Sequence, residues 1–314
     1  MQQAHNWQGL PYYPISLFYK ELFGGKVYKI PVSTAQTCPN REGLKGMKTC
    51  NFCDVWGSAA YPEVREKELR EQILRNRLKV SERTHAENFL VYFQAYTNTF
   101  SKTSQLREQF DVAAQFDFVK GFVVGTRPDC ISDAVIDLWN DYRKKYFVSV
   151  ELGVQTFNDE QLIWMRRGHD SQQSLNAIEK IKSRSDVDLG IHLMFGLPGE
   201  TDQQLIETAK LINSLPIDNV KLHNLHVLKN TPLADDYAAG NFMPLERKEY
   251  ADRVTLFLQH LHPKVAVHRL AALATRNDEL VAPDWVARKM EAYQNLIDHM
   301  RDKGAYQGQY FINE

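Results

Sequence analysis

The sequence predicts an α/β protein built on a parallel β-sheet, and two observations lead to that fold class. Short runs rich in apolar residues alternate along the chain with segments in which apolar residues recur at helical spacing. Several of the runs are almost continuously apolar, which is typical of strands covered by helices on both faces. Repeated strand–helix alternation of this kind produces a parallel sheet with right-handed crossovers. The pattern alone leaves two architectures open, a doubly wound sheet and a partial barrel.

Six runs are predicted to be strands. They are Lys26–Ser33, Phe89–Gln94, Phe118–Thr126, Phe147–Gln155, Asp188–Leu197 and Asn219–Leu228. Helical spacing follows most of them and is clearest over residues 131–142, after the third run. In the last run the alternation of apolar residues breaks near His223, which predicts that the strand ends or bulges there.

The pattern changes after Leu228, where two amphipathic helices flank one short strand. Residues 250–261 and 286–300 carry apolar residues at helical spacing, and Val265–Arg269 is predicted to be the strand between them. We therefore expect a core over residues 1–235 and an α+β extension over residues 236–314 that packs on it.

The bulk composition limits the classes of function. The chain has 38 basic and 39 acidic side chains and a formal net charge of −1, so it does not coat nucleic acid by charge alone, although a local basic patch remains open. No stretch approaches the roughly 20 apolar residues that span a bilayer, and the first residues do not read as a secretory leader. We expect a soluble cytoplasmic protein with no membrane partner.

Three of the four cysteines lie close together, just after the first predicted strand. Cys38, Cys50 and Cys53 have the spacing Cys-x11-Cys-x2-Cys, which in a reducing compartment indicates a metal site rather than disulfides. Their loop follows the carboxyl end of a strand, where parallel α/β folds carry their chemistry. The spacing leaves two sites open: an iron–sulfur cubane with one iron left for a non-protein ligand, and a zinc site completed by a histidine or by Cys130. Taken alone, Cys130 is predicted to be a small buried side chain.

Several segments together resemble the YhcC/YtqA-type radical S-adenosylmethionine (SAM) proteins. The widened motif from Cys38 to Cys53 takes the place of the commoner Cys-x3-Cys-x2-Cys of that superfamily. Most of the other matching segments lie at or just beyond the predicted carboxyl ends of strands. They are residues 92–100, 124–130, 151–156, 166–170, 192–200, 221–226 and 268–269. The resemblance covers nearly the whole chain.

This resemblance implies a partial (β/α)6 barrel of the TIM type, followed by the C-terminal extension. It implies that Cys38, Cys50 and Cys53 bind three irons of a [4Fe–4S] cluster, and that SAM chelates the fourth iron through its amino and carboxylate groups. An electron delivered to the cluster would cleave a carbon–sulfur bond of SAM to give methionine and a 5′-deoxyadenosyl radical, which abstracts hydrogen from the substrate. The cofactors carry that chemistry, and the protein positions them and excludes water.

The resemblance also implies which side chains bind SAM. Phe52 packs against the adenine, and Gln155 reaches the ribose. Arg167, or its neighbour Arg166, pairs with the carboxylate through its guanidinium fork. His192 contacts the ribose hydroxyls.

Two further SAM-binding candidates lie at the end of the second predicted strand. Gln94 and Tyr96 lie where the superfamily often has a glycine-rich motif for the SAM amino group, but the glycines are absent from this chain. His223 and His226 are expected to line the barrel mouth rather than to bind metal. No residue is assigned a catalytic role.

The substrate is inferred by analogy alone. Wider relatives include the Elongator catalytic subunit, whose radical SAM core acts on wobble uridine in tRNA, so we expect modification of a tRNA base with a reductant such as flavodoxin or ferredoxin. The basic and aromatic residues that would meet RNA are Arg41, Lys45, Lys48, Arg127, Lys221, Lys229, His268, Arg269, Arg276, Tyr96 and Trp56. Two alternatives stay open: a radical SAM enzyme for a small metabolite, and a zinc-stabilised barrel that binds RNA or protein without catalysis.

Overall fold

A computed structural model describes residues 7–57, 63, 65–274 and 276–312. Parallel strands form its main sheet, in the order β1-β2-β3-β4-β5-β6-β8. These strands are β1 Val27–Val32, β2 Asn88–Phe93, β3 Val119–Thr126, β4 Phe147–Gln155, β5 Asp188–Phe195, β6 Asn219–Asn224 and β8 Ala266–Val267. A second, antiparallel sheet pairs β7 (Val227–Leu228) with β9 (Leu280–Ala282).

The strand order identifies the main sheet as a partial barrel. From β1 to β6 each strand pairs with the next one along the chain, so the order never reverses as it does in a doubly wound sheet. The edge strands β1 and β8 pair with β2 and β6, and the barrel stays open between them. The predicted partial TIM-like barrel is confirmed, with β8 as a strand beyond the six expected.

Most of the helices pack on the outer face of the sheet and bury the main hydrophobic core. The helices are α1 Ile15–Phe23, α2 Leu69–Thr84, α3 Thr103–Ala113, α4 Asp133–Arg143, α5 Asp159–Trp164, α6 Ser171–Arg184, α7 Asp202–Ser214, α8 Pro232–Ala238, α9 Arg247–His260 and α10 Lys289–Asp302. Phe110 of α3 stacks on Phe122 of β3 with ring centroids 4.3 Å apart, as aromatic pairs in a core often do. No helix in the described part of the chain is long and apolar enough to cross a membrane.

The two faces of each strand have different surroundings. Along β4, Val148, Val150, Leu152 and Val154 join the core beneath the helices. The residues between them point to the opposite face because side chains alternate along a strand. The barrel interior therefore receives a set of side chains separate from the core beneath the outer helices.

Helix α1 closes the amino end of the barrel interior. Its Tyr19 is buried with Val27, Leu90 and Val123, which belong to the neighbouring strands β1, β2 and β3. Phe147, at the start of β4, packs edge-on against Tyr19 with ring centroids 6.1 Å apart. The interior is therefore accessible from the end at which the strands finish.

Three regions differ from the sequence prediction. The sixth strand ends at Asn224, next to the predicted break, and the rest of that run forms β7. The strand expected in the C-terminal extension is β8, and it joins the main sheet beside β6. Helices α1, α5 and α8 are not predicted from the periodicity, because helices of nine residues or fewer give little periodic signal. The domain boundary at residue 235 stays a prediction.

Candidate active site

One cavity of about 430 Å³ gathers the residues singled out in the sequence. Its lining includes the three clustered cysteines and all six residues expected to bind SAM, namely Cys38, Cys50, Cys53, Phe52, Gln94, Tyr96, Gln155, Arg167 and His192. His223 and His226 also line it. These residues come from the cysteine loop and from strands or loops of the barrel, so the parallel sheet brings together positions that are far apart in the chain.

Two buried asparagines fix the cysteine loop against the segment between β4 and α6. The side-chain amide of Asn40 donates to the carbonyl of Arg166 at 2.7 Å. The side-chain amide of Asn51 donates to the carbonyl of Trp164 at 3.0 Å, and its backbone N–H donates to the carbonyl of Met165 at 3.2 Å. An asparagine amide can cross-link backbone segments in this way because it carries two donors. The loop that carries the thiols is thereby held in place.

Two guanidinium groups stand next to the cysteine thiols. Nη2 of Arg41 lies 3.4 Å from Sγ of Cys53, and Nη1 of Arg167 lies 3.5 Å from Sγ of Cys50. Burial and the neighbouring Cys50 raise the pKa of the Cys53 thiol to about 11, while Arg41 acts in the opposite direction. A bound metal deprotonates a thiol outright, and the two cations would then offset the negative charge of the thiolates.

The chemistry of this donor set fits an iron–sulfur cluster with SAM. Among the residues that the structure describes, no three His, Cys, Asp or Glu side chains are placed to hold a single metal ion. Three thiols line one cavity, which is the ligand type that iron–sulfur clusters use. Nε of Arg167 is buried beside them without a hydrogen-bond partner in the described part of the chain. The carboxylate of a ligand would supply that partner.

Cys130 stands apart from the clustered cysteines. It is absent from the described residues that line the cavity. Its Sγ lies 3.9 Å from Oδ1 of Asp129, and burial raises the pKa of its thiol to about 12. Cys130 is half-buried rather than fully buried as predicted, because it lies in the short turn after β3 and not within a strand or α-helix.

The adjacent arginines Arg166 and Arg167 take different positions. Arg166 is exposed and has a φ of +56°, a left-handed conformation that turns the chain. Arg167 faces the cavity, where its Nη2 donates to the carbonyl of Gly153 at 3.0 Å. A Cβ atom at position 153 would lie 2.9 Å from Nε2 of Gln155, so the glycine allows both polar side chains to approach. Of the two arginines considered for the SAM carboxylate, Arg167 is the one that lines the cavity.

Tyr96 and Gln155 have left-handed backbone conformations, with φ of +56° and +73°. Such values are costly for residues other than glycine and tend to cluster at functional sites. The ring of Tyr96 lies beside the guanidinium groups of Arg41 and Arg65, at 5.2 and 5.1 Å from its centroid. Its hydroxyl donates to the carbonyl of Val55 at 2.8 Å. Tyr96 therefore braces the cysteine loop from the β2 side.

A single carboxylate organises the barrel interior. Glu151 of β4 is fully buried, with a side-chain exposure of 0%. Its Oε2 accepts hydrogen bonds from Lys221 at 2.8 Å, from His192 at 2.6 Å and from the hydroxyl of Tyr92 at 2.7 Å. Its Oε1 pairs with Lys29. Because these partners belong to β1, β2, β5 and β6, one side chain connects most of the barrel.

Burial and the neighbouring charges set the protonation states of Glu151 and its partners in the barrel interior. Burial lowers the pKa of His192 to about 4, so its ring is neutral near pH 7 and its Nε2–H donates to Glu151. Burial would raise the pKa of Glu151, but Lys221 and Lys29 outweigh it and hold that pKa well below its usual range. Burial lowers the pKa of Lys221 to about 7, although Glu151 acts in the opposite direction. The interior thus contains an ionised carboxylate surrounded by basic side chains.

The segment after β8 also reaches the cysteine loop. Arg276 pairs with Asp54, the residue that follows Cys53, and its Nε lies 2.8 Å from Oε2 of Glu279. The indole N–H of Trp56 donates to Oε1 of Glu279 at 3.2 Å. These contacts couple the position of the cysteine loop to the C-terminal part of the chain.

The basic residues expected to gather on one face divide between the interior and the surface. Arg127, Lys221, Arg269 and Arg276 line the cavity, whereas Lys48 and Lys229 are exposed. His268 hydrogen-bonds to Asn219 at 2.5 Å inside the barrel, and the side chain of Lys45 lies outside the described residues. Much of this positive charge is therefore directed into the barrel.

Glu151, Tyr92 and Lys29 have no predicted role. Glu151 and Lys29 interrupt runs predicted to be buried strands, and a charged residue is almost never buried without a partner. That conflict is the signal that could have identified an interior charge cluster. Tyr92 carries no such signal because tyrosine is common in strands.

Comparison with known proteins places the chain in a family. A model of the radical SAM superfamily matches residues 32–212, and a model of its C-terminal domain matches residues 217–302. YtqA of Bacillus subtilis is 30% identical over 300 residues, which cover 96% of this chain and 92% of YtqA. YhcC of Escherichia coli is 33% identical over 283 residues, 90% of each chain. A tRNA uridine(34) acetyltransferase of Methanocaldococcus infernus is 31% identical over 144 residues, which cover 45% of this chain and 26% of that protein.

Solved structures agree on the fold. The archaeal Elp3 of Methanocaldococcus infernus superposes with a TM-score of 0.64 at 18% identity, over 90% of this chain and 64% of that chain. At that identity the likeness concerns the fold. The superfamily model alone matches more than half of the chain, and the YtqA and YhcC alignments extend over almost all of it. The chain therefore belongs to the radical SAM superfamily of enzymes, whose members bind a [4Fe–4S] cluster and SAM.

Proposed function

We propose that this radical SAM enzyme modifies a base of a transfer RNA, at the side chain of the wobble uridine. The observation that carries the proposal is a cavity that joins the three thiols to a polar barrel interior. A base turned out of an RNA loop could enter such a cavity, whereas a paired helix could not. The relatives that match part of the chain and act on tRNA support this substrate class.

The proposed roles follow the positions of the side chains. Cys38, Cys50 and Cys53 hold the cluster, which when reduced supplies the electron that splits SAM into methionine and a 5′-deoxyadenosyl radical. Arg167 pairs with the SAM carboxylate, because its buried Nε lacks a partner among the described residues. Gln155 reaches the ribose from the strained end of β4.

The remaining SAM contacts are proposed from the same cavity. Phe52 packs against the adenine, Gln94 and Tyr96 border the amino group, and His192 faces the ribose from the interior. The reductant is a small electron carrier such as flavodoxin or ferredoxin, and the reducing cytoplasm suits both it and the cluster.

The first experiment tests the radical chemistry. Protein reconstituted anaerobically with iron and sulfide receives SAM and dithionite, and 5′-deoxyadenosine is measured by mass spectrometry. We expect product from the wild type and none from Cys53→Ala. The matched control Cys130→Ala should keep both cluster and product, because Cys130 is absent from the described cavity lining. Loss of product in both variants would contradict the assignment of the ligands.

The second experiment tests the substrate. Total tRNA should bind with an affinity that falls as salt rises, because phosphate contacts release counterions. Nucleosides of tRNA from a strain without the gene should differ from the wild type, and expression of the normal protein, but not of Cys53→Ala, should restore them. Unchanged nucleosides together with changed small metabolites would refute the tRNA proposal and favour a metabolite substrate.

A further inference from the structure

The barrel interior holds more basic than acidic side chains. Lys29 and Lys221 both contact Glu151, and the ammonium of Lys221 also donates to the hydroxyl of Tyr92 at 2.9 Å. Arg269, which follows β8, lines the same cavity. In the part of the chain that the structure describes, its guanidinium group makes no ion pair with a carboxylate, and Glu151 acts on it only through longer-range attraction. Three cationic side chains thus face one carboxylate.

The guanidinium group of Arg269 contacts a histidine that cannot neutralise it. Its Nη2 lies 2.8 Å from Nδ1 and 3.0 Å from Nε2 of His223. Burial and Arg269 itself hold the pKa of His223 well below its usual range, so that ring is neutral. Nε of Arg269 is buried without a hydrogen-bond partner among the described residues. The residue as a whole is half-buried at the cavity wall, and a partly buried cation without an ion pair is a natural partner for an anion.

Other carboxylates near the interior contact other side chains, not Arg269. Asp188 starts β5 at the closed end of the barrel, where it accepts hydrogen bonds from Ser149 at 2.5 Å and from Asn219 at 2.9 Å. Burial raises the pKa of Asp188 to about 6, and its carboxylate is taken up by these two hydrogen bonds at the end of the barrel opposite the cavity mouth. Glu200 pairs with Arg253 at 2.8 Å. The positive charge at Arg269 therefore has no internal counter-ion of its own in the described part of the chain.

We propose that Arg269 and Lys221 form a binding site in the barrel interior for an anionic oxygen group of the substrate, a carboxylate or a phosphate. A guanidinium fork suits either group, and the ammonium of Lys221 has one N–H beyond its two bonds to Glu151 and Tyr92. The cavity has the size of a small-ligand pocket, so the group belongs to the part of the substrate that enters the barrel. This deepens the proposed function and rests on it, because it assumes that the substrate enters this cavity.

The test measures anion binding to the reconstituted, cluster-bearing protein, without RNA and without turnover. Acetate and methyl phosphate are titrated by calorimetry at constant ionic strength, with acetamide as the neutral counterpart of acetate. Melting temperature gives a second readout, since a ligand that binds the native state raises it. We expect one or both anions to bind, acetamide not to bind, and the tighter anion to identify the group.

Three variants assign the binding to Arg269. Arg269→Gln should weaken the affinity at least about tenfold, the loss typical of a hydrogen bond to a charged group. Arg269→Lys should keep much of the affinity because the charge remains. Arg288→Gln removes an exposed arginine outside the cavity and should bind like the wild type. If Arg269→Gln does not fold, Lys221→Gln takes its place with the same expected loss.

Three results would overturn the proposal. The first is that neither anion binds, and the second is that Arg269→Gln binds them as tightly as the wild type. The third is that the anions compete with SAM and that Arg269→Gln no longer binds SAM. The last result would assign Arg269 to the cofactor instead of the substrate. None of these measurements uses tRNA. A negative anion-binding result therefore does not contradict the tRNA proposal, and a negative tRNA experiment does not change the anion-binding result.

Discussion

The change Glu151→Gln tests whether one buried carboxylate holds the barrel strands together. Glutamine keeps the size of the side chain but removes its charge, which leaves Lys29 and Lys221 without their counter-ion at a position of 0% side-chain exposure. Removing one partner of a buried ion pair costs roughly 3–5 kcal/mol. We expect the free energy of unfolding to fall by that amount at neutral pH. For a chain of this length the melting temperature should fall by about 5–10 °C.

The size of this loss should depend on pH in a defined direction. The pKa of Glu151 is depressed in the folded protein, so the stability that it contributes is present above its ordinary value of 4.5 and is lost as the pH falls below it. Burial lowers the pKa of Lys221 to about 7, against 10.5 ordinarily, so its ammonium loses its proton as the pH rises through 7 and its attraction to Glu151 weakens. The difference in the free energy of unfolding between wild type and variant should be largest at about pH 6 and smaller at pH 9.

The measurement is urea unfolding followed by circular dichroism at three pH values, with Asp252→Asn as the matched control. Asp252 also contacts two lysines and a histidine, with Lys248 at 3.0 Å and His299 at 2.8 Å, but its side chain is 34% exposed. Solvent screens such a carboxylate, so neutralising it in Asp252→Asn should lower the free energy of unfolding by less than about 1 kcal/mol. If the free energy of unfolding fell equally in the two variants, or fell by less than about 1 kcal/mol in Glu151→Gln, the argument from burial would be refuted.

Three further predictions separate structural from functional positions. Arg269→Met should raise the free energy of unfolding by about 1 kcal/mol in buffer without carboxylates or phosphates, because it removes a half-buried cation that has no ion pair in the described part of the chain. Urea unfolding measures this, and a lower free energy of unfolding in the variant would count against an unpaired charge. Arg167→Lys should weaken SAM binding by about tenfold through loss of the guanidinium fork, whereas Arg166→Lys, at an exposed position, should bind SAM normally in calorimetry. Gly121→Ala should lower the free energy of unfolding by roughly 3 kcal/mol, because the added Cβ would lie 2.1 Å from the carbonyl oxygen of Phe147 on the adjacent strand. The control Gly25→Ala, whose Cβ would have no atom within 4 Å, should leave the melting temperature nearly unchanged.

Much of the barrel could be predicted because its strands are buried on the outer face and their residues are strongly apolar. Val148, Val150, Leu152 and Val154 lie beneath the helices, and such runs are visible without knowledge of the fold. The cysteine loop was equally visible, because the three thiols are close in the sequence. Parallel topology then predicts that the loop lies at the carboxyl ends of the strands, near Gln155.

The interior cluster could not be assembled from the sequence, for a geometric reason. Lys29 and Lys221 are 192 residues apart, and their shared contact with Glu151 depends on the curvature of the sheet. The choice between Arg166 and Arg167 depends on a left-handed φ at Arg166, which no spacing rule predicts for an arginine. The polar alternation Asn219, Lys221, His223 was present in the sequence, but only the barrel shows that this face points inward.

The interior charges have two different physical explanations. Glu151, Lys29 and Lys221 satisfy one another, and their contacts connect strands that would otherwise meet only through their neighbours. Arg269 adds positive charge without a counter-ion in the described part of the chain, so stability gives no reason for its presence. Because the alternation along each strand keeps these side chains away from the core beneath the outer helices, substitutions on the inner face can change what the cavity binds without disturbing that core. The same geometry that separates the two faces therefore separates the part of the molecule that folds the barrel from the part that selects a substrate.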